Sequence, residues 1–288
     1  LFIRSLMYYH LAIAYGNIPL QLTPFVSGDE LTQVDQATVL NQLILDLTEA
    51  EAGLSVSYSG NDIGRATKGA AATLLAKVLL TTGDNAAAVT VLRRIVSDYG
   101  YELVDNYADL WGVANENNEE SIFEVQFISG GIGQGSLFTN DFSPSTDLQT
   151  GSGFARNRPT ISLMEAYEDG DLRYNPSMGD TYVNLEGETI ESRYVKKYWS
   201  DPAIENDSDI NFVVFRYADV LLMLAEALGE SSESYDLINE VRARAGLDDI
   251  DGTTPGSFSE KLLNERRLEL AFENHRWPDL KRFNAQDK

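Results

Sequence analysis

The histidine and aspartate residues of this sequence do not form the motifs that usually perform catalysis. The two histidines, His10 and His275, are not part of an HExxH motif, by which zinc hydrolases hold their metal. The chain has no cysteine, which excludes disulfide bonds, thiolate zinc sites and cysteine nucleophiles. Asp169 and Asp171 are a candidate carboxylate pair for glycoside cleavage, but two acids beside a turn glycine are common. We therefore predict no catalytic residue and no metal site.

Three short segments resemble cofactor or ion motifs without the context that those motifs need. Residues 131–135 (GIGQG) follow a strand-like run, but no helix pattern opens after them, as dinucleotide binding requires. Residues 248–252 (DDIDG) lack the spacing and the terminal glutamate of an EF-hand loop. Gly151-Ser152-Gly153 is typical of a flexible loop and not of a nucleophile elbow. We predict no cofactor.

The overall composition is that of a folded, acidic protein. Of the 288 residues, 43% are hydrophobic, which suffices for one large domain or two. A net charge of −23 argues against a nucleic-acid partner and against adsorption to anionic lipid, because like charges repel. No apolar run approaches the roughly 20 residues that span a bilayer. The sequence opens within a helix pattern at Leu1, which indicates a fragment, so the absence of targeting signals carries little weight.

An internal repeat indicates how these residues are positioned. Residues 67–100 and 213–246 have equal length and the same pattern of apolar positions. Their glycines coincide, Gly83 with Gly229 and Gly100 with Gly246. Each unit is typical of a helix, a glycine turn, a second helix and a closing glycine, which is the layout of a tetratricopeptide-like hairpin. With further helices at residues 1–14 and about 38–52, the sequence predicts a mainly α fold, a tetratricopeptide-like α/α superhelix.

Between the two repeats the pattern changes to short strands and loops. Residues 120–127 (ESIFEVQF) are strand-like, and residues 180–199 alternate like a hairpin around Glu186-Gly187-Glu188. Long irregular segments on a rigid frame are where binding usually occurs. We predict one domain over residues 1–288. Its helical frame lies at approximately 1–100 and 212–288, and its loop-rich ligand-face insertion, with short strands, lies at approximately 101–211.

Residues 264–283 (NERRLELAFENHRWPDLKRF) mix charges of both signs with large apolar side chains. A catalytic centre, a surface for an acidic partner and a structural helix are all compatible with that mixture. Ser257 is placed to cap a helix that ends at Trp277, where the next residue is proline. Leu263, Leu270 and Trp277 recur every seventh residue on its apolar side. We favour the structural helix, whose long charged side chains cover apolar surface and pair with one another.

Three glutamates follow one another along this predicted helix at every fourth residue: Glu265, Glu269 and Glu273. Such a column is unfavourable unless cations neutralise it. We expect the cations to be Arg266 and Arg276 on the same helix, together with Arg242 or Arg244 of the preceding helix.

Several collinear segments resemble the SusD/RagB-like family. The C-terminal signature of that family is similar to residues 264–280, and a second hallmark is similar to residues 215–227 (FRYADVLLMLAEA). Residues 238–247, 65–71 (RATKGAA) and 15–20 (YGNIPL) fit as well. The matches extend over essentially the whole chain.

The resemblance implies a surface-exposed outer-membrane lipoprotein of Bacteroidota-type bacteria. Such a protein binds a glycan or peptide nutrient and delivers it to a SusC-like TonB-dependent transporter, and it is not an enzyme. The family's signal peptide and lipidated cysteine are not in this sequence, and it ends soon after Phe283, where the family continues with a tail. We therefore expect contact with the membrane only through a lipid anchor that this chain lacks.

An oligosaccharide ligand would need exposed aromatic rings flanked by polar side chains, because sugars present C–H faces and hydroxyl groups. We expect Trp199 to be the main platform, since it leads out of a strand into a polar loop. The other predicted ligand-binding residues are Tyr182, Tyr198, Phe154, Trp111, Arg156 and Asn157. Phe138 and Phe142 are predicted to hold the Gly-rich loop around residues 131–135 against the helical frame. The acidic charge favours a neutral glycan.

Two other functions stay open at this point. A tetratricopeptide-type scaffold for a protein partner predicts a concave groove of repeat helices, with the aromatic residues of 111–199 buried. A glycoside hydrolase predicts two carboxylates about 5–10 Å apart in a cleft. Nutrient capture without cleavage is the function that we prefer.

Overall fold

The computed structural model describes residues 1–24, 31–144 and 153–284. The helices are α1 (Phe2–Tyr15), α2 (Gln36–Gly53), α3 (Lys68–Thr82), α4 (Asn85–Asp98), α5 (Phe138–Phe142), α6 (Ile161–Met164), α7 (Tyr174–Ser177), α8 (Tyr217–Leu228), α9 (Ser232–Arg244), α10 (Phe258–Glu269) and α11 (Arg276–Arg282). The strands are β1 (Ile18–Pro19), β2 (Gln33–Val34), β3 (Ser121–Val125), β4 (Met178–Val183), β5 (Thr189–Val195) and β6 (Phe212–Arg216). Short 3-10 helices span Gly60–Asp62, Tyr107–Leu110 and Val113–Asn115. The fold is mainly α-helical, as predicted.

Local sequence signals start and stop the longer helices. The Asp35 carboxylate accepts a hydrogen bond from the Thr38 amide at 2.7 Å, and this bond caps α2. The Thr67 hydroxyl accepts one from the Ala70 amide at 3.1 Å and caps α3 in the same way. Each cap satisfies one of the amide donors that a helix leaves free at its first turn. At the other end of α3, Gly83 adopts φ 81°, a left-handed conformation that glycine tolerates without strain.

The predicted repeat is confirmed. Residues 67–100 contain the antiparallel pair α3 and α4, and residues 213–246 contain α8 and α9. Helix α4 packs against α8, so the two hairpins lie side by side, and α10 packs against α8 and α9. Leu92 and Ile238, which occupy matching repeat positions, are both fully buried in the same apolar cluster. Stacked hairpins therefore form one continuous core, as tetratricopeptide-like repeats do.

The strands form two-stranded antiparallel pairs. Strand β3 pairs with β6, and this pairing joins the middle of the chain to the start of the second repeat. Strands β4 and β5 form the predicted hairpin, with Gly187 at φ 84° in its turn. Because β6 runs directly into α8, the β3–β6 pair fixes the loop-rich middle of the chain to the helical frame.

The predicted helix, which was expected to begin after Ser257 and to end at Trp277, is two helices. Ser257 caps α10 as expected, and its hydroxyl and the Glu260 carboxylate form a reciprocal capping box. However, α10 ends at Glu269, and Phe272 and Asn274 adopt left-handed conformations with φ 68° and 65°. The chain then begins α11, in whose first turn Pro278 is tolerated because the amide of that position has no helical partner.

The glutamate column is buried and lies within a network of ion pairs. Arg242 pairs with Glu265 at 3.2 Å, and Arg244 pairs with Glu269, as predicted. The other predicted cations were wrong: Arg266 pairs with Asp219 and Asp279, and Arg276 pairs with no described carboxylate. For Arg276 the reason is the early end of α10, because Glu273 and Arg276 are no longer on the helix that carries Glu265. Arg266 stays on α10 but pairs across to carboxylates on α8 and α11. Further partners that the sequence did not reveal are Arg173, Lys197 and Arg216.

Candidate functional site

A groove of about 650 Å³ opens between the loop around residues 157–163 and the segment that joins α10 to α11. Its lining residues are Phe142, Asn157, Arg158, Pro159, Thr160, Ser162, Leu163, Phe212, Arg267, Leu270, Ala271, Phe272, Asn274, His275, Arg276, Trp277 and Leu280. The walls are apolar, and the polar groups are mainly amides and guanidinium groups. None of the described lining residues is Asp or Glu. In a protein with 45 acidic residues, that composition distinguishes this surface from the rest.

Main-chain hydrogen bonds hold the loop that forms one wall. The amides of Phe154, Ala155 and Arg156 donate to carbonyl groups on and beside α5, at 2.7–2.9 Å. Ala155 and Asn157 adopt left-handed conformations with φ 49° and 54°, so the chain turns sharply before it enters the groove. The Thr160 hydroxyl then caps α6, which continues the wall. These contacts give Asn157 a defined position at the groove.

The opposite wall is the segment between α10 and α11, and buried side chains support it from behind. The Tyr198 hydroxyl donates to the Phe272 carbonyl at 3.2 Å, and the Tyr167 hydroxyl donates to the Leu268 carbonyl at 2.9 Å. The sharp turn at Phe272 and Asn274 places Trp277 on the groove side, with half of its surface (50%) exposed. A half-exposed indole above an open groove is the type of platform on which a sugar ring stacks.

His275 is neutral at ordinary pH. Burial and, after it, the neighbouring Lys77 ammonium lower its pKa to about 4, although Asp219, Glu273 and Asp279 act in the opposite direction. The Lys77 ammonium donates to Nδ1 of His275 at 3.3 Å, which fixes the orientation of the ring. His275 therefore contributes shape, and no charge, to the groove wall.

The guanidinium groups supply the positive charge of the groove. Arg267 donates to the Ser162 hydroxyl at 3.0 Å and so bridges the two walls. Burial lowers the pKa of Arg276, and the nearby charge of Arg267 lowers it further. Nη1 of Arg276 is buried and has no hydrogen-bond partner among the described residues. The groove therefore has unused hydrogen-bond donors as well as apolar walls.

Of the residues predicted from the sequence, Asn157 lines the groove and Phe154 and Arg156 lie just before it on the same loop. Phe154 is 44% exposed, and the Arg156 guanidinium lies 4.9 Å from the centre of its ring. Arg156 also pairs with Asp141 at 2.8 Å. Trp199 is half-buried and does not line the groove. The loop residues thus lie at or beside the groove, and the preferred platform is not part of its lining.

The remaining predicted aromatic residues lie mostly in the interior. Tyr198 is 2% exposed, and its ring packs against Phe212 at a centroid distance of 5.4 Å and against Trp111 at 6.2 Å. Tyr182 is 8% exposed on the β4–β5 hairpin. These buried faces offer no stacking surface in this conformation, because they fill small cores between strands and loops. Phe138 packs in the same cluster as Tyr198, as expected of a ring that pins the loop.

The sequence did not reveal Trp277 and the arginines beside it as groove residues, because its amphipathic pattern placed all of them on one helix. The signal that could have revealed the groove is Asn274. Asparagine tolerates the left-handed conformation and often follows the last turn of a helix. A helix end before Asn274 would have moved Trp277 off the buried face.

The other sequence candidates have structural roles. Asp171 is buried and forms an ion pair with Arg173 at 2.8 Å, so it does not pair with Asp169 in a cleft. The amides of Gly130 and Gly131 donate to the Asp207 carboxylate at 2.8 and 2.7 Å, so the Gly-rich loop binds a side chain of its own protein. Gly151 and Ser152 lie outside the described residues.

Within residues 1–24, 31–144 and 153–284, no cluster of three or more His, Cys, Asp or Glu residues is placed to hold a metal ion. No helix in these ranges combines the length and the apolar character needed to cross a membrane.

The sequence and the fold are both similar to those of known proteins. The model of the SusD family matches residues 171–288. A solved structure of a laminarin-binding SusD-like protein has 30% sequence identity and a TM-score of 0.86, covering 99% of this chain and 69% of that one. The chain belongs to the SusD family. This membership confirms the resemblance of the sequence segments and the tetratricopeptide-like helical fold.

A curated relative and a second solved structure define the extent of the similarity. SusD-like protein P25 of Formosa agariphila is 29% identical over 331 residues, which cover 98% of this chain and 62% of the relative. The chain therefore spans less than two thirds of the length of that relative. Surface glycan-binding protein A of Bacteroides thetaiotaomicron, solved in complex with laminarihexaose, has 20% identity and a TM-score of 0.84, covering 99% of this chain and 67% of that one. At that identity the likeness concerns the fold alone.

Proposed function

We propose that this SusD-family protein captures an oligosaccharide at the bacterial cell surface and delivers it intact to a SusC-like TonB-dependent transporter of the outer membrane. A lipid anchor on a longer chain would hold it at that membrane. The observation that carries the proposal is the open groove with Trp277 on its wall. The relative described as laminarin-binding supports a carbohydrate as the ligand class.

The groove has the physical features of a sugar site. Its volume of about 650 Å³ lies within the range of small-molecule sites. The Trp277 indole offers an apolar face for the C–H groups of a sugar ring. Asn157 and Asn274 place amide donors and acceptors within the groove lining, where sugar hydroxyls need partners. Stacking and hydrogen bonding together would hold a neutral or charged sugar without a covalent step.

The described lining also supports binding without cleavage. Glycoside hydrolysis uses a pair of carboxylates on either side of the scissile bond. No described lining residue of the groove is Asp or Glu, so none of these residues can act as a carboxylic general acid or as a carboxylate nucleophile. We therefore assign the protein a binding role and no enzymatic activity.

Within this proposal, the two predicted parts of the chain have different tasks. The helical frame at approximately 1–100 and 212–288 supplies the rigid scaffold that faces the transporter. The insertion at approximately 101–211 supplies the loop wall with Asn157, and the α10–α11 segment supplies the wall with Trp277. Ligand capture thus takes place where the insertion meets the frame.

The test is a calorimetric titration of the purified protein with laminarin oligosaccharides and a panel of other glycans and peptides, while reducing ends are measured. The proposal expects saturable binding of a glycan and a constant number of reducing ends. Binding of peptides alone would contradict it in favour of an interaction scaffold. New reducing ends would contradict it in favour of a hydrolase.

A further inference from the structure

Most arginines of this acidic protein pair with a carboxylate, and the exceptions cluster on one face. All arginines lie within the described ranges, and four of them have no carboxylate oxygen of a described residue within 4.0 Å: Arg158, Arg193, Arg267 and Arg276. Every other arginine forms at least one such pair. With 45 acidic residues available against 22 basic ones, an arginine without a partner is the unusual case.

The four exceptions are spatial neighbours. Arg158, Arg267 and Arg276 line the groove, and Arg158 also lines an adjoining hollow of about 420 Å³ together with Arg193. Asp180 and Glu191 line that second hollow, so its charge is mixed. The first groove has no described acid in its lining. Positive charge is therefore concentrated in the groove that contains Trp277.

The hydrogen bonds of these arginines leave donors free. Nε of Arg158 donates to the Ala155 carbonyl at 3.1 Å, and Arg193 donates to the Pro159 carbonyl at 2.7 Å. Both bonds hold the loop wall in place, so Arg193 acts as a positioning residue. Arg276 has a buried Nη1 to which no described residue offers a hydrogen-bond acceptor, and its pKa is lowered by burial and by Arg267. Like charges in one partly buried groove are unfavourable in the absence of an anion.

We propose that the groove recognises the anionic substituents of its glycan, sulfate esters or uronate carboxylates, through Arg158, Arg267 and Arg276. This inference rests on the proposed function and names the chemical class of its ligand. A guanidinium group presents paired N–H donors that match the oxygen atoms of a carboxylate or a sulfate. Trp277 would stack on the sugar ring while the arginines bind its charged group.

This proposal reverses the expectation from net charge. The net charge of −23 would favour a neutral ligand only if charges far from the groove acted on a ligand inside it. At about 0.1 M ionic strength, the Debye length is about 10 Å, so exposed charges beyond that distance are largely screened. The nearest charges in the groove lining are the guanidinium groups, and they determine which ligand is attracted.

The test compares three probes with one backbone: laminarin, chemically sulfated laminarin and laminarin oxidised at C6 to carry uronate groups. We expect one or both charged probes to bind at least about tenfold more tightly than laminarin at low salt, as charge-assisted hydrogen bonds imply. Added NaCl should reduce that preference. The two charged probes distinguish sulfate from carboxylate as the recognised group.

Arginine variants distinguish recognition of the charged group by the groove from attraction of the probe to positive charge anywhere on the protein. The double variant Arg158→Gln/Arg267→Gln should lose the preference for charged probes, to within about twofold of laminarin. Arg93→Gln is the matched control, since it also removes a positive charge but lies on α4, where Arg93 pairs with Glu233 at 2.7 Å. It should keep the full preference. If the double variant does not fold, as a thermal melt would show, the exposed Arg158→Gln alone replaces it and should lower the preference.

Each outcome decides the question. Equal affinity for all three probes would overturn this inference and leave the proposed function standing. A preference that Arg93→Gln reduces as much as the groove variants do would also overturn it, because the attraction would then be general. Failure to bind any probe would contradict the proposed function together with the inference. Tighter binding of a charged probe, lost only in the groove variants, would support both.

Discussion

Arg216 and Glu269 form a buried ion pair, in which Nη1 of the arginine donates to Oε1 of the glutamate at 2.5 Å. Arg216 is the last residue of β6, and Glu269 is the last residue of α10. The pair therefore ties the strand that leads into the second repeat to the point where the groove wall begins. Arg244 and Arg173 also pair with Glu269, and these cations hold its pKa well below its usual range against the effect of burial.

Removal of the charge of Glu269 should destabilise the protein strongly. Glu269→Gln leaves three buried arginines without their common anion, and breaking a buried ion pair from one side typically costs about 3–5 kcal/mol. Urea unfolding followed by circular dichroism would measure the loss. Glu233→Gln is the control, because its half-exposed pair with Arg93 is worth at most about 1 kcal/mol. If both variants lost the same free energy of unfolding, the buried network would stabilise the protein no more than an exposed ion pair does.

Stability should depend on pH through His275. Its folded pKa is about 4 and its ordinary value is 6.5, so between those values the unfolded chain binds the extra proton. The contribution of His275 is therefore present above pH 6.5 and is lost as the pH falls, by about 1.4 kcal/mol per pH unit. Burial raises the pKa of Glu116 from its ordinary value of 4.5 to about 7. Between those two values the folded chain binds the extra proton, so the contribution of Glu116 to stability increases as the pH falls.

The comparison of wild type with His275→Gln isolates this effect. Between pH 6.5 and pH 5, the free energy of unfolding of the wild type should fall by roughly 2 kcal/mol relative to the variant. Urea titrations at several pH values would measure it. The pKa values of Glu269 and Glu273 are lowered, so their contributions decrease only below the ordinary glutamate value of 4.5. A pH-independent difference between wild type and variant would show that His275 is not held neutral by the fold.

Tyr198 should support the groove without contacting the ligand. Tyr198→Phe keeps the buried ring and removes only the hydrogen bond to the Phe272 carbonyl. We expect a loss of about 1 kcal/mol in stability, the usual net value of such a bond, and an unchanged affinity for glycan. A thermal melt and a calorimetric titration on the same preparation measure both. A large loss of affinity with unchanged stability would place the Tyr198 hydroxyl in the binding site.

The fold was largely predictable because its signals are local. The repeat glycines, the cap at Ser257 and the periodic apolar positions of the repeat each act within a few residues, and the structure confirms them. The predicted helices at residues 1–14 and about 38–52 agree with α1 and α2 to within two residues at each end.

The groove was less predictable because it depends on two left-handed residues and on distant contacts. The turn at Phe272 and Asn274 divides an amphipathic pattern that is continuous in the sequence. The loop wall is held by bonds to α5 and by Arg193, from elements that are remote in the chain. Burial of Tyr198 likewise depends on Phe212 and Trp111, which sequence spacing does not bring together.

Trp199 and Trp277 are the two tryptophans that compete for the role of platform. Trp199 was preferred from the sequence and is half-buried outside the groove, whereas Trp277 lies on the groove wall. We expect Trp199→Ala to change glycan affinity by less than about threefold, since stacking requires an exposed ring face. Affinity electrophoresis in gels containing the bound glycan would measure it. A larger loss of affinity in a folded Trp199→Ala variant would show that Trp199 is the platform and that the glycan does not bind in the groove beside Trp277.

The central claim is that the groove beside Trp277 binds the glycan, and a calorimetric titration of Trp277→Ala tests it most directly. The matched control is Tyr15→Ala, which removes from the end of α1 a 76% exposed aromatic ring that does not belong to the groove lining. Loss of a stacked ring should weaken binding at least about tenfold in Trp277→Ala. Tyr15→Ala should keep the wild-type affinity. An unchanged affinity in folded Trp277→Ala would contradict the account.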